Sequence, residues 1–422
     1  MTGRRHQGSL ALLKDFQLLV ILFVAFRLTF LIVYQPLIVG GVERGITAGG
    51  DMAQFYAFAQ LSDEGLYPFR DFWSEFPPVW PWFYVAVYRL LAAAQPSYTA
   101  FASLLGLVLL VVDTGNLVLL RRIGARLYGR DTGLALAWVY ALLAAPAVFI
   151  WWNFEALVAF AILLAIWWFL NGRDGRLVGA LLLGALVKFV PLVVLGAVWR
   201  FRSWRRALLI TAGVMIGFGL VYGGIAAAFG EMGLASLVAQ FSKSSYGTIW
   251  ALLDGNFATG VFGPLAQRFD PAFASRPLGN PPVISGVVRL LPSAVLGLFA
   301  YARTRRFDSR GVVQFVTLTV LVFFLWAQGW SPQWLAVIIP LVLLSFPTRN
   351  GVLVVILLSL MAFAEYPLLF LRTGDTGGVI SGGLVMPFIG LVVGRTLILG
   401  GLVVSLISAL REPVVKELGH EA

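Results

Sequence analysis

The chain has 422 residues, of which 59% are hydrophobic and 12% charged. Soluble domains run at about 45–50% apolar and about 25% charged, so a soluble globular fold is excluded. Cysteine is absent, and histidine occurs only at His6 and His420. Thiol nucleophiles, disulfides, Cys or His zinc sites and histidine bases are therefore excluded from the interior, and chemistry there falls to carboxylates, Lys, Arg, hydroxyls, amides and aromatics.

The net charge is +11. In a soluble protein that excess points to nucleic acid, but here the arginines sit in short runs between apolar segments: Arg4–Arg5, Arg121–Arg130, Arg200–Arg206 and Arg303–Arg310. This is the positive-inside pattern of a multi-pass membrane protein, with the lipid bilayer and no nucleic acid as its partner. The first apolar stretch, 16–38, is too long for a signal-peptide core and reads as a retained span.

Further apolar stretches long enough to cross a bilayer follow at 98–120, 132–150, 152–170, 177–199, 207–229, 284–301, 311–327, 334–347, 351–371 and 384–409, with a shorter one at 79–94. Residues 1–422 thus form one all-α integral membrane domain, a polytopic helical bundle of 10–12 membrane segments. Two long loops interrupt it, 39–78 and 230–283. The second is rich in Gly, Pro and aromatics and reads as a surface-packed loop with short interfacial helices.

The arginine runs set the orientation. They face one side if 79–94 does not cross and if 177–199 is a hairpin broken near Pro191, since non-helical backbone is allowed where protein covers it. The expected arrangement is ten crossings plus two embedded segments, with both termini cytoplasmic; twelve plain crossings is the rival. The absence of Cys and the Arg-heavy basic content fit a bacterial plasma membrane.

The first loop is outside in this arrangement and is acidic, with Glu43, Asp51, Asp63, Glu64, Asp71 and Glu75 against Arg44 and Arg70. Asp51 follows Gly49-Gly50 and opens an amphipathic helix on which Met52, Phe55, Tyr56 and Ala59 recur at helical spacing. Two roles are open to it: a helix N-cap, or a carboxylate within reach of a lipid head group. Asp63-Glu64-Gly65 reads as a solvated turn. Glu75 can bind a sugar hydroxyl or pair with Arg70. Pro77-Pro78 pins the chain where it enters the membrane.

Arg27, Asp113, Glu155, Lys188 and Glu365 lie at membrane depth, where charges are costly and are either functional or paired. Arg27 and Asp113 are expected to pair. Asn153 and Glu155 follow Trp151-Trp152 in an outer turn on the same side as Asp51. Lys188 is one of four lysines against 27 arginines, a choice that suits a compact charge for a phosphate, with a snorkelling side chain as the alternative. Lys243, among Ser242, Ser244, Ser245 and Tyr246, can hold an anionic head group or be a plain surface lysine. In the turn Gly329-Trp330-Ser331-Pro332-Gln333-Trp334 the aromatics can form an interfacial belt, and Ser331 and Gln333 can face a cavity. Tyr56, Trp73, Trp250 and Trp330 are candidates to stack on a sugar or an isoprenoid.

Several segments together resemble the GT-C superfamily of glycosyltransferases. The lone Asp51 after the first span, Gly65-Leu66-Tyr67-Pro68-Phe69 and Glu75-Phe76-Pro77-Pro78 are similar to that superfamily's first outer loop. ALVKFVPLVVLGAVWRFRSWRR resembles the Lys-x-x-Pro span and basic loop of polyprenol-phosphate-mannose-dependent mannosyltransferases, and GWSPQWLAVIIPL resembles their Ser-Pro-Gln turn. The turn at Asn153–Glu155 sits where the GPI first-mannosyltransferase type has a short polar turn. The chain differs from many relatives in having a single Asp in place of an acidic pair.

The resemblance implies transfer of a sugar, mannose first among candidates, from a polyprenyl-phosphate-linked donor to a glycolipid or other hydroxyl acceptor on the outer face. Asp51 would be the general base of an inverting reaction, and Tyr56, Glu75, Asn153, Glu155, Lys188, Lys243, Ser331 and Gln333 would bind donor or acceptor. No cofactor is expected, and nothing indicates a divalent metal. The sequence contains no Gly-rich phosphate loop and no Asp-x-Asp, so a nucleotide-sugar donor is not favoured. The alternative is a transporter or flippase, which would place its ionisable groups near the midplane on discontinuous helices.

Overall fold

A computed structural model describes residues 11–33, 37–39, 42–44, 50–92, 96–143, 153–260, 263–276, 278–373 and 377–413. Arg4, Arg5, His6, Gly49, Trp151, Trp152, His420 and the end of the predicted 132–150 span lie outside them.

The protein is helical, apart from a two-stranded antiparallel ribbon pairing Leu37–Val39 with Val42–Arg44. In chain order the helices are α1 (Phe16–Val33), α2 (Gly50–Gln60), α3 (Val79–Leu91), α4 (Tyr98–Tyr128), α5 (Arg130–Leu142), α6 (Glu155–Leu170) and α7 (Asp174–Val187). They continue as α8 (Leu195–Phe201), α9 (Trp204–Ser242), α10 (Ile249–Asp254), α11 (Gly286–Arg303), α12 (Ser309–Trp326), α13 (Leu335–Ser345), α14 (Arg349–Phe363), α15 (Phe370–Thr373) and α16 (Val385–Arg411). Among the described residues, seven helical stretches are long and apolar enough to cross a membrane: 16–33, 98–128, 204–242, 286–303, 309–326, 349–373 and 382–411.

The mid-helix charges pair as expected. Arg27 Nε donates to Asp113 Oδ2 at 2.8 Å, and the Tyr140 hydroxyl donates to Asp113 Oδ1 at 2.5 Å. Both charged residues are sealed from solvent, so each is tolerated only through the other. Close helix approach needs small residues, and α4 meets α5 at Gly133, where a Cβ would come within 2.5 Å of the Ala125 nitrogen.

The hairpin at 174–202 forms and breaks near Pro191, at Lys188, which is extended (φ −160°, ψ 146°). Pro191 has no N–H for the carbonyl of residue 187 and its ring would strike that carbonyl, so the helix stops a turn upstream. The chain then returns through a 3-10 turn (Val190–Val194) and α8, until Arg202 lies 3.5 Å from Asp174 at the start of α7. The short segment α3 likewise runs beside α2: Tyr84 stacks on Phe55 at 5.4 Å, and Arg89 pairs with Asp63 at 2.9 Å, back in the first loop. After Gly230 (φ 58°) α9 folds back on itself, so that Tyr222 and Ser236 share a 3.3 Å hydrogen bond. The second long loop carries the expected short helices, α10 and two 3-10 turns (Leu265–Phe269, Pro271–Ser275).

Basic runs far apart in sequence meet at one end of the bundle. Arg126 donates to Leu170 O at 2.8 Å, Arg202 to Phe169 O at 2.6 Å, Arg200 to Thr304 O at 2.6 Å and Arg310 to Leu127 O at 3.2 Å. The Arg305 N–H reaches Leu410 O at 2.8 Å, and Arg121 lies over Phe16 at 4.2 Å. Several of these carbonyls belong to last helical turns, which lack intrahelical donors and attract cations. The first-loop acids Asp51 and Glu75 lie at the opposite end. In this cysteine-free chain, Ser203→Cys and Ala266→Cys, at exposed positions on opposite ends, should each react with an impermeant maleimide from one side of sealed vesicles only, and from opposite sides. Labelling of both from the same side would overturn this arrangement.

Candidate functional site

Five segments distant in sequence converge at the end opposite the arginines. Asp51 stands in the first turn of α2, where a negative charge is favoured by the helix N-terminus. Its Oδ2 accepts a 3.0 Å hydrogen bond from Asn153 Nδ2, and Asn153 Oδ1 in turn accepts the Glu155 N–H at 3.2 Å. Asn153, just before α6, is thus held at both ends of its amide.

Glu155 begins α6 and Lys188 follows the end of α7. These helices are antiparallel neighbours joined by a short turn, so the two ends are level and the side chains form an ion pair. Because the backbone breaks at residue 188, the ammonium extends from the helix end. It lies 5.3 Å from the Phe154 ring centroid and 4.9 Å from that of Trp334, a cation–π cage supplied by two turns.

Glu75, in the first loop, pairs with Lys243 of the second at 3.2 Å, and its backbone carbonyl accepts from Gln240 Nε2 at 2.5 Å. The pairing with Arg70 does not form: Arg70 is bound locally to Asp71 at 2.7 Å and to the Gly65 carbonyl. A third cation stands nearby. Arg268 is buried, lies 4.1 Å over the Trp73 ring and acts electrostatically on Glu75. Its Nη1 has no protein partner. Sequence reading passed over it, although an arginine in a loop assigned to the outer side was itself a signal.

Tyr246 completes the group. Its N–H reaches Gln328 O at 3.2 Å, its carbonyl accepts the Trp330 N–H at 3.0 Å, and its ring lies against Gly329, where a Cβ would stand 2.8 Å from the hydroxyl oxygen. Gln333 is buried in the same turn. Tyr56, by contrast, does not join: five residues beyond Asp51 on a helix it faces roughly 140° away. Its hydroxyl donates to Pro96 O at 2.7 Å, and its ring packs among Tyr88, Tyr98 and Phe101. Of the other aromatic candidates, Trp73 lies under Arg268, Trp250 donates to Leu325 O at 3.0 Å and Trp330 donates to Glu365 at 3.2 Å.

The cluster sets distinct protonation behaviour on its carboxylates. Burial pushes Asp51 up, and the negative charge of Glu75 adds to this; Lys188 and the Asn153 amide pull back, leaving Asp51 at about 7. Burial works the same way on Glu75, but Lys243, Arg268 and Lys188 outweigh it and hold that carboxyl below its ordinary value. For Tyr246, burial and then Glu75 raise the hydroxyl, so it remains a donor at neutral pH. Asp51, Glu75 and Glu155 thus face Lys188, Lys243 and Arg268, and with Asp51 titrating near neutrality the net charge of the six lies between zero and +1. Among the described residues no three acidic or imidazole side chains are grouped to hold a metal ion.

Lys188→Met should leave Glu155 buried without its partner and cost about 3–5 kcal/mol of stability, whereas Lys188→Met/Glu155→Leu should regain most of that loss. Thermal unfolding in detergent measures both; equal stability of the single variant and the wild type would show that the pair does not hold the site. Comparisons of the chain with family models, with curated proteins and with solved structures found no match, which leaves the arrangement of these side chains as the ground for a functional reading.

Proposed function

We propose that the protein is a membrane glycosyltransferase of the GT-C type that moves a sugar, mannose first among candidates, from a polyprenyl-phosphate donor to a hydroxyl acceptor such as a glycolipid. The observation that carries this reading is Asp51: a carboxylate bonded to Asn153, within electrostatic reach of Glu75, Lys188 and Glu155 and raised to about 7, at the end of the bundle opposite the basic runs. A base poised near the working pH combines a usable deprotonated fraction with a strong pull on the proton.

In the proposed reaction the acceptor O–H gives its proton to Asp51 as the oxygen attacks the anomeric carbon from the face opposite the phosphate. The bond from that carbon to the phosphate oxygen breaks and its electron pair leaves with the phosphate, so configuration inverts. The donor phosphodiester carries one negative charge and the departing monoester carries two. Charge developing on the leaving group calls for fixed cations more than for an acid, and Lys188, Lys243 and Arg268 supply them. A net charge between zero and +1 suits a monoanionic donor.

The membrane topology follows from the same reading. Ten segments cross, α3 and the α7–α8 hairpin are embedded without crossing, the arginine end and both termini face the cytoplasm, and the site faces outward, in a bacterial plasma membrane. What weighs against a transporter is that four buried charges at membrane depth are tied to one another, Arg27 to Asp113 and Glu365 to Arg395.

The test is purified protein in nanodiscs with polyprenyl-phosphate sugars and a glycolipid acceptor. Asp51→Asn should lower transfer by about 10²–10⁴-fold, the usual worth of a general base, while the protein still folds and inserts. Near wild-type turnover in that variant sinks the assignment. The wild-type rate should rise with pH through about 7 as Asp51 loses its proton. Glu75→Gln removes a negative neighbour and should move that limb to lower pH; Lys188→Met removes a positive one and should move it higher. An acid limb that stays in place in both variants would mean that another group titrates.

A further inference from the structure

The buried pair Glu365–Arg395 has no part in the chemistry above. Glu365 sits in the kinked segment after α14 and Arg395 in the middle of α16, and both are almost wholly buried. Arg395 Nη1 lies 2.7 Å from each carboxylate oxygen, and Trp330 Nε1 donates to Glu365 Oε2 at 3.2 Å. The guanidinium carbon lies 4.2 Å from the Trp330 ring centroid, and Arg395 Nη2 donates to the Gly247 carbonyl.

Both groups held by this pair adjoin Tyr246 and Ser331. Gly247 is left-handed (φ 61°), and a Cβ there would stand 3.1 Å from the Trp330 carbonyl. At Gly329 any side chain would collide with the Tyr246 ring. The two strands 246–247 and 328–330 are therefore pressed together, laced by backbone hydrogen bonds, and pinned from beneath by one ion pair. The Tyr246 ring and hydroxyl lie over Gly329 of this unit, and the hydroxyl is within electrostatic reach of Ser331, Glu75, Asp51 and Glu155.

We propose that Glu365 and Arg395 are positioning residues that hold Tyr246 as a hydrogen-bond donor to the reacting sugar or its phosphate, a role that rests on the transferase reading. The charges themselves never meet substrate; they fix the turn that presents the hydroxyl.

The experiment uses the full chain in nanodiscs and compares Arg395→Met/Glu365→Leu, Tyr246→Phe, the three changes together, and Gly329→Ala. Removing both members of a buried ion pair leaves no uncompensated charge, so the double variant should fold with near wild-type stability. Its hydrogen exchange should quicken at 245–248 and 328–331 while the arginine end keeps wild-type protection. Transfer should fall about tenfold in kcat with KM little changed in the double variant, in Tyr246→Phe and in Gly329→Ala, about the worth of one hydrogen bond. Adding Tyr246→Phe to the double variant should cost nothing more, since interacting sites are non-additive.

Unchanged exchange at 245–248 and 328–331, wild-type kcat in the double variant, or fully additive losses would each overturn the proposal. A wild-type protein that transfers no sugar would refute the transferase reading instead, and the exchange data would still decide whether the pair positions Tyr246.

Discussion

The ion pair between Glu155 and Lys188 is the interaction on which the rest of the site depends. It exists because α7 ends early, and α7 ends early because of Pro191. An uninterrupted helix would carry the lysine around on a fixed spiral with its backbone bonded on both sides. The break puts Lys188 at the tip of a hairpin instead, level with the start of α6, where one carboxylate and two aromatic rings receive it. Asn153 then links that corner to Asp51 through the two ends of a single amide. Four residues from three segments are ordered by one local failure of helical geometry.

The charges of the cluster are shared unequally, and that inequality sets Asp51 apart. Glu75 has Lys243 as a direct partner with Arg268 behind it, and Glu155 has Lys188. Among the described residues Asp51 has the neutral amide of Asn153 as its hydrogen-bond partner, while Glu75 and Glu155 act on it from a greater distance. Its charge is less well compensated than that of Glu75. Burial raises either carboxyl; at Glu75 the nearby cations outweigh it, and at Asp51 they do not.

Much of this was legible in the residues before the coordinates, and what was not failed for physical reasons. Arg27 and Asp113 had to pair because neither can stand alone among apolar helices, and they do. The acidic first loop and the arginine runs separated to opposite ends because the same charge rule acts on every connection. Pairing across loops was harder to read. Arg70 looked like the partner of Glu75 by nearness in sequence, but Asp71 and the Gly65 carbonyl hold it locally, and the partner came from residue 243. Tyr56 shared a helix with Asp51, yet helical rotation turned it into an aromatic cluster. Arg268 carried no motif, and only the folding of the second loop over Trp73 gave it a place.

The origin of the site residues along the chain has a consequence for how the protein is made. Asp51 and Glu75 come from the first loop, Asn153 to Lys188 from the middle, Lys243 and Arg268 from the second loop, and Ser331 from a turn still later. During synthesis the first loop is in place long before its cations exist. Asp51 and Glu75 without Lys188 or Lys243 are not charge-balanced. The centre is therefore assembled only when nearly four-fifths of the chain has been inserted, as Ser331 is residue 331 of 422. A truncated or stalled product carries every acid of the first loop without the partners that balance them, so the order of translation itself sets when the cluster can form.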